Sequence, residues 1–319
     1  MSENPIPIID VSPLFSDDIA ASDAVDQQIG HACETMSSFM VIGLPDALKP
    51  DREKMDLFFS LFHQSEEIKI HMGNRVTNPN STRGYRGLWR KPENLGGKQY
   101  FDMGPEPTVK APSIEGIDAA IEPNVWPPED EMPGWTDGML NYFRIFETFG
   151  IMLIESIARY LGVDPKAAAA RYAESNSTLR LLWYPDQQAQ NFREDGGVKR
   201  PEIHDAHTDN DGLAILWQDA KGLQMQSPAG AWNYIPDVPE GYSVHLGDAL
   251  ETQTAGRLLA TPHRVLGQGV KRRSIAFFLE PGLYGSVKPF SVDGVEPDVQ
   301  LEDTYGWSIM QTLINSGRA

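Results

Sequence analysis

Cysteine is almost absent from this chain of 319 residues, since Cys33 is the only one. An intramolecular disulfide and a thiolate metal cage both need at least two cysteines, so both are excluded. The chain also lacks a stretch of about 18 uninterrupted apolar residues, and it lacks a basic and then apolar N-terminal segment. We therefore expect a globular protein of the reducing cytoplasm, with no membrane span and no secretory signal.

Basic residues are scarce as well. The chain has 27 lysines and arginines against 45 aspartates and glutamates, which gives a formal charge of -18 at pH 7. So acidic a molecule repels the phosphates of nucleic acids and anionic membrane surfaces. A small molecule is therefore the expected partner, and neither a nucleic acid nor a membrane is. Heptads and repeated exposed apolar residues are also lacking, which favours a monomer.

The N-terminal region, residues 1–175, mixes short apolar runs with stretches of helical periodicity. The clearest helix is predicted over 136–161, where Met139, Phe143 and Phe146 begin a series of apolar residues at helical spacing. Gly162 is a suitable stop at its C-terminal end. The other elements expected here are strands near 6–10 and 38–43 and helical segments near 24–36, 49–70 and 165–174.

The second half of the chain has a different pattern of apolar and turn residues. Short β-type runs are separated by turn residues, for example LRLLWY, GLAILWQ, YSVHLG and SIAFFLEP. Such spacing predicts a β-sandwich or barrel over residues 176–285, and 286–319 would be a C-terminal extension packed on that core. The predicted fold class is therefore mainly β with flanking helices and a mixed α/β N-terminal region.

A metal site is indicated by His207, Asp209 and His263. Residues i and i+2 of a strand point to the same face, so His207 and Asp209 can reach one metal ion without distortion. His263 lies on a later β-type run. Two histidines and one carboxylate leave half the coordination sphere of Fe(II) open, as in non-haem oxygenases. Zinc would accept the same ligands, but no H-E-x-x-H motif supplies the general base of a zinc hydrolase.

An anion site is indicated by Arg272 and Ser274, which share one face of the run RRSIAFFLEP. A guanidinium beside a hydroxyl makes a directional clamp for a carboxylate. The alternative is that Arg272 or Arg273 pairs with an acidic group at the surface. The candidate metal ligands nearby favour the clamp.

Together these motifs resemble the iron- and 2-oxoglutarate-dependent oxygenases of the isopenicillin N synthase-like superfamily, over nearly the whole chain. The N-terminal similarity lies in IPIIDVSPLF, SFMVIGLPD, FFSLFHQSEEIKI, RGYRGLW and FDMG. The C-terminal similarity lies in HTDNDGLAILWQD, VHLGDALETQTAGRLLATPHRV and RRSIAFFLEP. The signal is specific because H-x-D, L-G-D, H-R-V and R-x-S occur in the order of the family.

The resemblance implies a 2-oxoglutarate-dependent dioxygenase whose core is a double-stranded β-helix, or jelly roll. It implies that the three candidate ligands hold Fe(II), and that Arg272 and Ser274 bind the distal carboxylate of 2-oxoglutarate with help from Tyr184. Such an enzyme uses O2 to hydroxylate, desaturate or cyclise a small organic molecule, and it releases succinate and CO2. Two positions depart from the family, because Leu182 and His245 stand where asparagine is common.

The resemblance also implies a substrate pocket without identifying the substrate. Arg90 is the most informative of its residues, because an arginine that points into the pocket would favour an anionic substrate, and a solvated one a neutral substrate. The other residues that the resemblance places in the pocket are Tyr85, Leu88, Trp89, Phe101, Met103, Trp183, Trp217 and Phe278.

Two other functions stay open at this point. An Fe(II) oxidase of the isopenicillin N synthase or aminocyclopropane carboxylate oxidase type carries the same R-x-S pair but does not consume 2-oxoglutarate, so succinate release distinguishes it. A non-catalytic jelly-roll module would keep a metal only for stability. Iron removal would lower its melting temperature, whereas an enzyme would also lose oxygen consumption.

Overall fold

The structure is a computed structural model, and it describes residues 6–74, 83–87, 98–185, 191–291 and 298–315. No helix in these ranges is long and apolar enough to cross a bilayer. The α-helices of the described residues are α1 (Ile19–Met36), α2 (Arg52–Phe59), α3 (Glu66–Asn74), α4 (Trp135–Leu161), α5 (Pro165–Ala170), α6 (Asp248–Gln253) and α7 (Tyr305–Asn315).

The strands form two sheets. They are β1 (Ile8–Asp10), β2 (Ser38–Ile42), β3 (Gly84–Arg86), β4 (Gln99–Met103), β5 (Thr178–Tyr184), β6 (Phe192–Asp195), β7 (Val198–His207), β8 (Leu213–Gln218), β9 (Leu223–Gln226), β10 (Trp232–Tyr234), β11 (Tyr242–Leu246), β12 (His263–Leu266) and β13 (Arg272–Leu279). The larger sheet has the order β1-β2-β11-β8-β13-β5-β4-β3, and the smaller sheet has the order β10-β9-β12-β7-β6.

The two sheets curl around a shared apolar interior. The period of two along β5 shows this, because Leu182 and Tyr184 belong to the cluster between the sheets while Leu179 and Leu181 face outward. We call the first set the inner cluster and the second the outer core. The inner cluster takes residues from both sheets, which are Leu182, Tyr184, Ala214, Leu216, Ala276, Ile203, Leu223, Met225 and Val265. The predicted jelly-roll core is therefore confirmed.

The outer core lies between the outer face of the larger sheet and the N-terminal helices. Helix α4 begins one residue before the predicted 136–161, and Gly162 caps its C-terminal end with a left-handed φ of 74°, which favours glycine. Gly150 of α4 lets this helix approach the sheet, since a Cβ there would lie 3.1 Å from a methyl carbon of Leu279. The helix therefore packs closely against the strand that carries the predicted anion site.

The N-terminal strands belong to the same sheet as the later strands. Strand β2 lies between β1 and β11, and β4 pairs with β5. The proposed division into 1–175 and 176–285 therefore runs through one continuous sheet, and these boundaries stay a prediction. Within 286–319, Met310 of α7 is buried in a small cluster with Ile117 and Leu283.

Gly30 lies where α1 approaches α4, and its replacement tests that packing. A Cβ at Gly30 would lie 1.9 Å from Cγ of Tyr160. Although alanine is usually better than glycine inside a helix by about 1 kcal/mol, we expect Gly30→Ala to lower the free energy of unfolding by about 1–3 kcal/mol because of overpacking. Urea unfolding measures this change.

The matched control is Gly138→Ala in α4. The nearest atom to a Cβ at Gly138 is a ring carbon of Phe58 at 3.2 Å, so a small adjustment suffices. Its free energy of unfolding should stay within about 1 kcal/mol of the wild type. A Gly30→Ala protein as stable as this control would contradict the close approach of α1 and α4.

Candidate active site

The three predicted metal ligands meet at one end of the barrel. His207 is the last residue of β7 and lies opposite His263, the first residue of β12, and Asp209 follows β7 by two positions. Nε2 of His207 lies 3.7 Å from Oδ1 of Asp209, and Nε2 of His263 lies 3.5 Å from Oδ2 of Asp209. One ligand atom from each residue lies within 4.8 Å of the other two.

The donor atoms of this set fit a metal ion. Nδ1 of His207 lies 2.8 Å from the carbonyl oxygen of Asp205, and Nδ1 of His263 lies 3.1 Å from that of Thr261, so Nε2 is left for a metal in both. Oδ2 of Asp209 is buried and has no hydrogen-bond partner within the described ranges. Burial, with the nearby His263, lowers the pKa of His207 and favours the neutral, metal-binding imidazole. The set suits Fe(II).

Two more imidazoles lie beside the ligands. The ring of His204 is 4.2 Å from that of His207, and the ring of His245 is 5.4 Å from that of His263. Nε2 of His245 lies 3.1 Å from Oγ of Ser243, while its Nδ1 is buried without a partner in the part of the chain that is described. Burial holds the pKa of His204 and of His245 well below the usual value, so neither adds positive charge.

Arg272 lies inside the barrel. It is the first residue of β13 and pairs with Tyr184, the last residue of β5. Its Nη2 donates to Oε1 of Gln218 at 3.0 Å and to Oγ of Ser274 at 3.3 Å. The guanidinium carbon lies 5.0 Å from the centre of the Tyr184 ring. Nη1 is buried and has no hydrogen-bond partner among the described residues. A buried, charged N–H group without a partner is costly, so this site fits an anion.

The sequence left open which of the two arginines pairs with acidic groups at the surface. In the structure this residue is Arg273. It faces outward, and its Nη1 lies 2.7 Å from a carboxylate oxygen of Asp56. Its Nε lies 2.6 Å from a carboxylate oxygen of Asp219. The surface ion pair therefore belongs to Arg273, while Arg272 keeps an unused N–H group inside the barrel.

The residues predicted to line the substrate pocket lie in different parts of the fold. Phe278 packs against the inner cluster. Five others belong to the outer core or pack against it, which are Tyr85, Phe101, Met103, Trp183 and Trp217. Three lie outside the described residues, which are Leu88, Trp89 and Arg90. Leu182, which replaces a common asparagine, is part of the inner cluster.

The sequence interpretation missed one charged pair inside the barrel. Arg180 of β5 donates from Nε and Nη2 to the two carboxylate oxygens of Asp102 in β4, at 2.7 and 2.8 Å. The side chain of Asp102 is fully buried. Within LRLLWY the arginine stood out as the one charged residue of an apolar strand, but its position relative to the metal ligands needed the fold.

A jelly roll that holds two histidines, one carboxylate and a buried arginine defines a non-haem iron oxygenase. Residues 177–281 match the family model described as the 2OG-Fe(II) oxygenase superfamily. Residues 6–129 match the model described as the non-haem dioxygenase in morphine synthesis N-terminal region. The chain therefore contains a 2OG-Fe(II) oxygenase superfamily domain, over residues 177–281.

Individual relatives agree with this family over most of their length. Isopenicillin N synthase from Streptomyces clavuligerus is 25% identical over 302 residues, which cover 93% of this chain and 91% of that protein. The 2-oxoglutarate-dependent dioxygenase gloF from Glarea lozoyensis is 27% identical over 274 residues, 79% of this chain and 81% of that protein. A Neurospora crassa protein in complex with alpha-KG and thymine shares the fold, with a TM-score of 0.75, 23% identity and coverage of 98% of this chain and 97% of that one.

Proposed function

We propose that this chain uses Fe(II), 2-oxoglutarate and O2 to hydroxylate, desaturate or cyclise a small organic molecule, with release of succinate and CO2. One observation carries the proposal. A buried arginine with an unpartnered N–H group shares the interior of one jelly roll with the set of His207, Asp209 and His263. The arginine supplies the anion site, and the triad supplies the metal site, that this reaction needs.

The triad residues would hold the ferrous ion from one side of the coordination sphere. When bound, iron and 2-oxoglutarate together supply the oxidising chemistry that acts on a C–H bond of the substrate. The carbonyls of Asp205 and Thr261 fix the rings of His207 and His263 through Nδ1. Their Nε2 atoms therefore face Asp209 before a metal binds, which lowers the entropic cost of assembling the site.

The distal carboxylate of 2-oxoglutarate would bind at Nη1 of Arg272. Oγ of Ser274 accepts from Nη2 of Arg272 and donates to the carbonyl of Trp217 at 2.8 Å. Because that hydroxyl proton is already used, we assign Ser274 to positioning the guanidinium. The ring of Tyr184 packs against the guanidinium, with 5.0 Å between the ring centre and the guanidinium carbon. A charge-assisted bond is stronger in such a buried place than at the surface.

The alternative is an Fe(II) oxidase that binds no 2-oxoglutarate. The relatives include an isopenicillin N synthase, but they also include proteins named as 2-oxoglutarate-dependent dioxygenases. The matched family model is that of the 2OG-Fe(II) oxygenases. These matches favour 2-oxoglutarate as the occupant of the Arg272 site.

The test compares the two reactions directly. Anaerobic addition of 2-oxoglutarate to the Fe(II)-loaded protein should produce a visible charge-transfer absorption band, and succinate should not produce it. In air, with candidate substrates, we expect one succinate for each O2 consumed. Oxygen consumption without succinate would favour the oxidase, and a protein with neither band nor oxygen consumption would contradict both.

We further propose a monomer in the cytoplasm. The scarcity of cysteine supports the cytoplasmic location, since Cys33 is the only cysteine and it is buried in the outer core. Sedimentation equilibrium tests the first part, and a mass of two chains would contradict it.

A further inference from the structure

Arg180 is a fixed cation inside the barrel, separate from Arg272. It lies on the same face of β5 as Leu182 and Tyr184, which belong to the inner cluster. Its guanidinium carbon lies 5.2 Å from the ring centre of Tyr100 and 5.3 Å from that of Phe278. Two flanking rings, together with the two bonds to Asp102, hold the guanidinium in one orientation.

The ion pair between Arg180 and Asp102 nevertheless leaves part of the Arg180 guanidinium accessible to a ligand. The side chain of Arg180 keeps 27% of its surface exposed, while the side chain of Asp102 keeps none. Asp102 uses Nε and Nη2 of Arg180, so Nη1 is the nitrogen that the ion pair does not use. The pKa of Arg180 is raised, because the charge and hydrogen bonds of Asp102 outweigh the burial that lowers it. Arg180 is therefore always charged.

Arg180 lies within electrostatic reach of the metal site. The carboxylate of Asp209 acts on Arg180, and Arg180 acts on His204, which stacks on the metal ligand His207. In the sheet, Arg180 pairs with Ala276, two residues before Phe278. A molecule bound at Arg180 would thus lie in the barrel interior, within the electrostatic influence of the triad.

We propose that Arg180 anchors the primary substrate, and that this substrate carries a carboxylate. The inference rests on the proposed function, because it names the substrate class of the same site. A guanidinium binds a carboxylate directionally, and the pairing with Asp102 orients its free edge. The carboxylate of the substrate and that of 2-oxoglutarate then bind to different arginines, Arg180 and Arg272.

The test measures binding rather than turnover. Under anaerobic conditions, the protein with Fe(II) and saturating 2-oxoglutarate is titrated calorimetrically with three acids and their primary amides. The pairs are phenylacetate and phenylacetamide, 3-phenylpropanoate and 3-phenylpropanamide, and hexanoate and hexanamide. We expect at least one acid to bind about tenfold more tightly than its amide. Equal or weaker binding of every acid would overturn the proposal.

The variant is the double substitution Arg180→Gln with Asp102→Asn. It removes both charges together, so no buried carboxylate is left unpaired and the fold should persist. We expect the acid preference to disappear, and a preference that survives would overturn the role of Arg180. The charge-transfer band with 2-oxoglutarate is measured in the same samples, and its absence in the wild type would count against the proposed function alone.

A matched control pair exists on the other side of the fold. Nε and Nη2 of Arg159 bind the two carboxylate oxygens of Asp26 at 2.6 and 2.9 Å, in the same geometry but between α4 and α1. The double substitution Arg159→Gln with Asp26→Asn should leave the acid preference intact. If it abolishes the preference as well, the loss reflects a general loss of charge pairs, and Arg180 is not the anchor.

Discussion

The Asp209→Ala protein will bind ferrous ion more weakly than the wild type by at least about 100-fold, and it will form no succinate above background. Asp209 is the one anionic member of the triad, and its buried Oδ2 has no hydrogen-bond partner among the described residues. Without it, two neutral imidazoles remain. Two such ligands neither balance the charge of the ion nor fix its position.

The control for this prediction is Asp205→Ala, on the strand β7 that leads to Asp209. The side chain of Asp205 is exposed, and only its backbone carbonyl contacts Nδ1 of His207, at 2.8 Å. Iron affinity and succinate formation should therefore stay within about twofold of the wild type. Iron binding is measured by anaerobic titration. If Asp209→Ala keeps wild-type affinity, the triad is not the iron site.

Much of the fold follows from local pattern. The apolar periodicity of 136–161 predicted α4 to within one residue, because a long amphipathic helix carries its packing face in its own sequence. The segment 49–70 shows the limit of this reasoning. Its apolar spacing suggested one helical stretch, but the chain forms α2 and α3 with a short 3-10 turn at Ser60–His63 between them. Leu61 and Phe62 of this turn are buried in the outer core, which is a tertiary contact that the apolar spacing of 49–70 does not reveal.

The order of the strands in the two sheets could not be predicted from the sequence, for a similar reason. Nothing near β2 indicates that it lies between β1 and β11, since its partners are far away along the chain. The sequence of a short apolar run of this kind also does not indicate which other strand it pairs with in the sheet. The boundaries between an N-terminal region and a jelly roll therefore stay a prediction.

The metal ligands were predictable from the H-x-D spacing, although the strand expected to carry both residues ends at His207 and Asp209 lies two residues beyond it. His204 was not predictable, because an ideal strand would turn a residue three positions before His207 to the other face. The register between β7 and β12 shifts at this point, so that His207 pairs with His263 but His204 pairs with Val265. Such a bulge brings both imidazoles together, and the sequence bears no clear sign of it.

Arg272→Leu should raise the dissociation constant for 2-oxoglutarate by on the order of 100-fold, as expected when a buried charged pair loses one partner. The free energy of unfolding of the protein without 2-oxoglutarate should not fall. Arg272 is 2% exposed, its Nη1 has no partner within the described part of the chain, and burial lowers its pKa. Replacing a buried charge of this kind by a leucine is neutral or stabilising. A fall in affinity without a fall in the free energy of unfolding separates a binding role from a structural one.

The neighbouring residue is the natural control, because the strand turns it to the opposite face. Arg273→Leu removes the ion pairs with Asp56 and Asp219, which are partly exposed, so it should cost at most about 1 kcal/mol of stability. It should leave 2-oxoglutarate affinity unchanged. Both variants are compared by anaerobic titration of the charge-transfer band and by urea unfolding. If Arg273→Leu weakened 2-oxoglutarate binding and Arg272→Leu did not, the unpaired N–H group inside the barrel would have another purpose, and the anion site would lie on the outer face of the sheet.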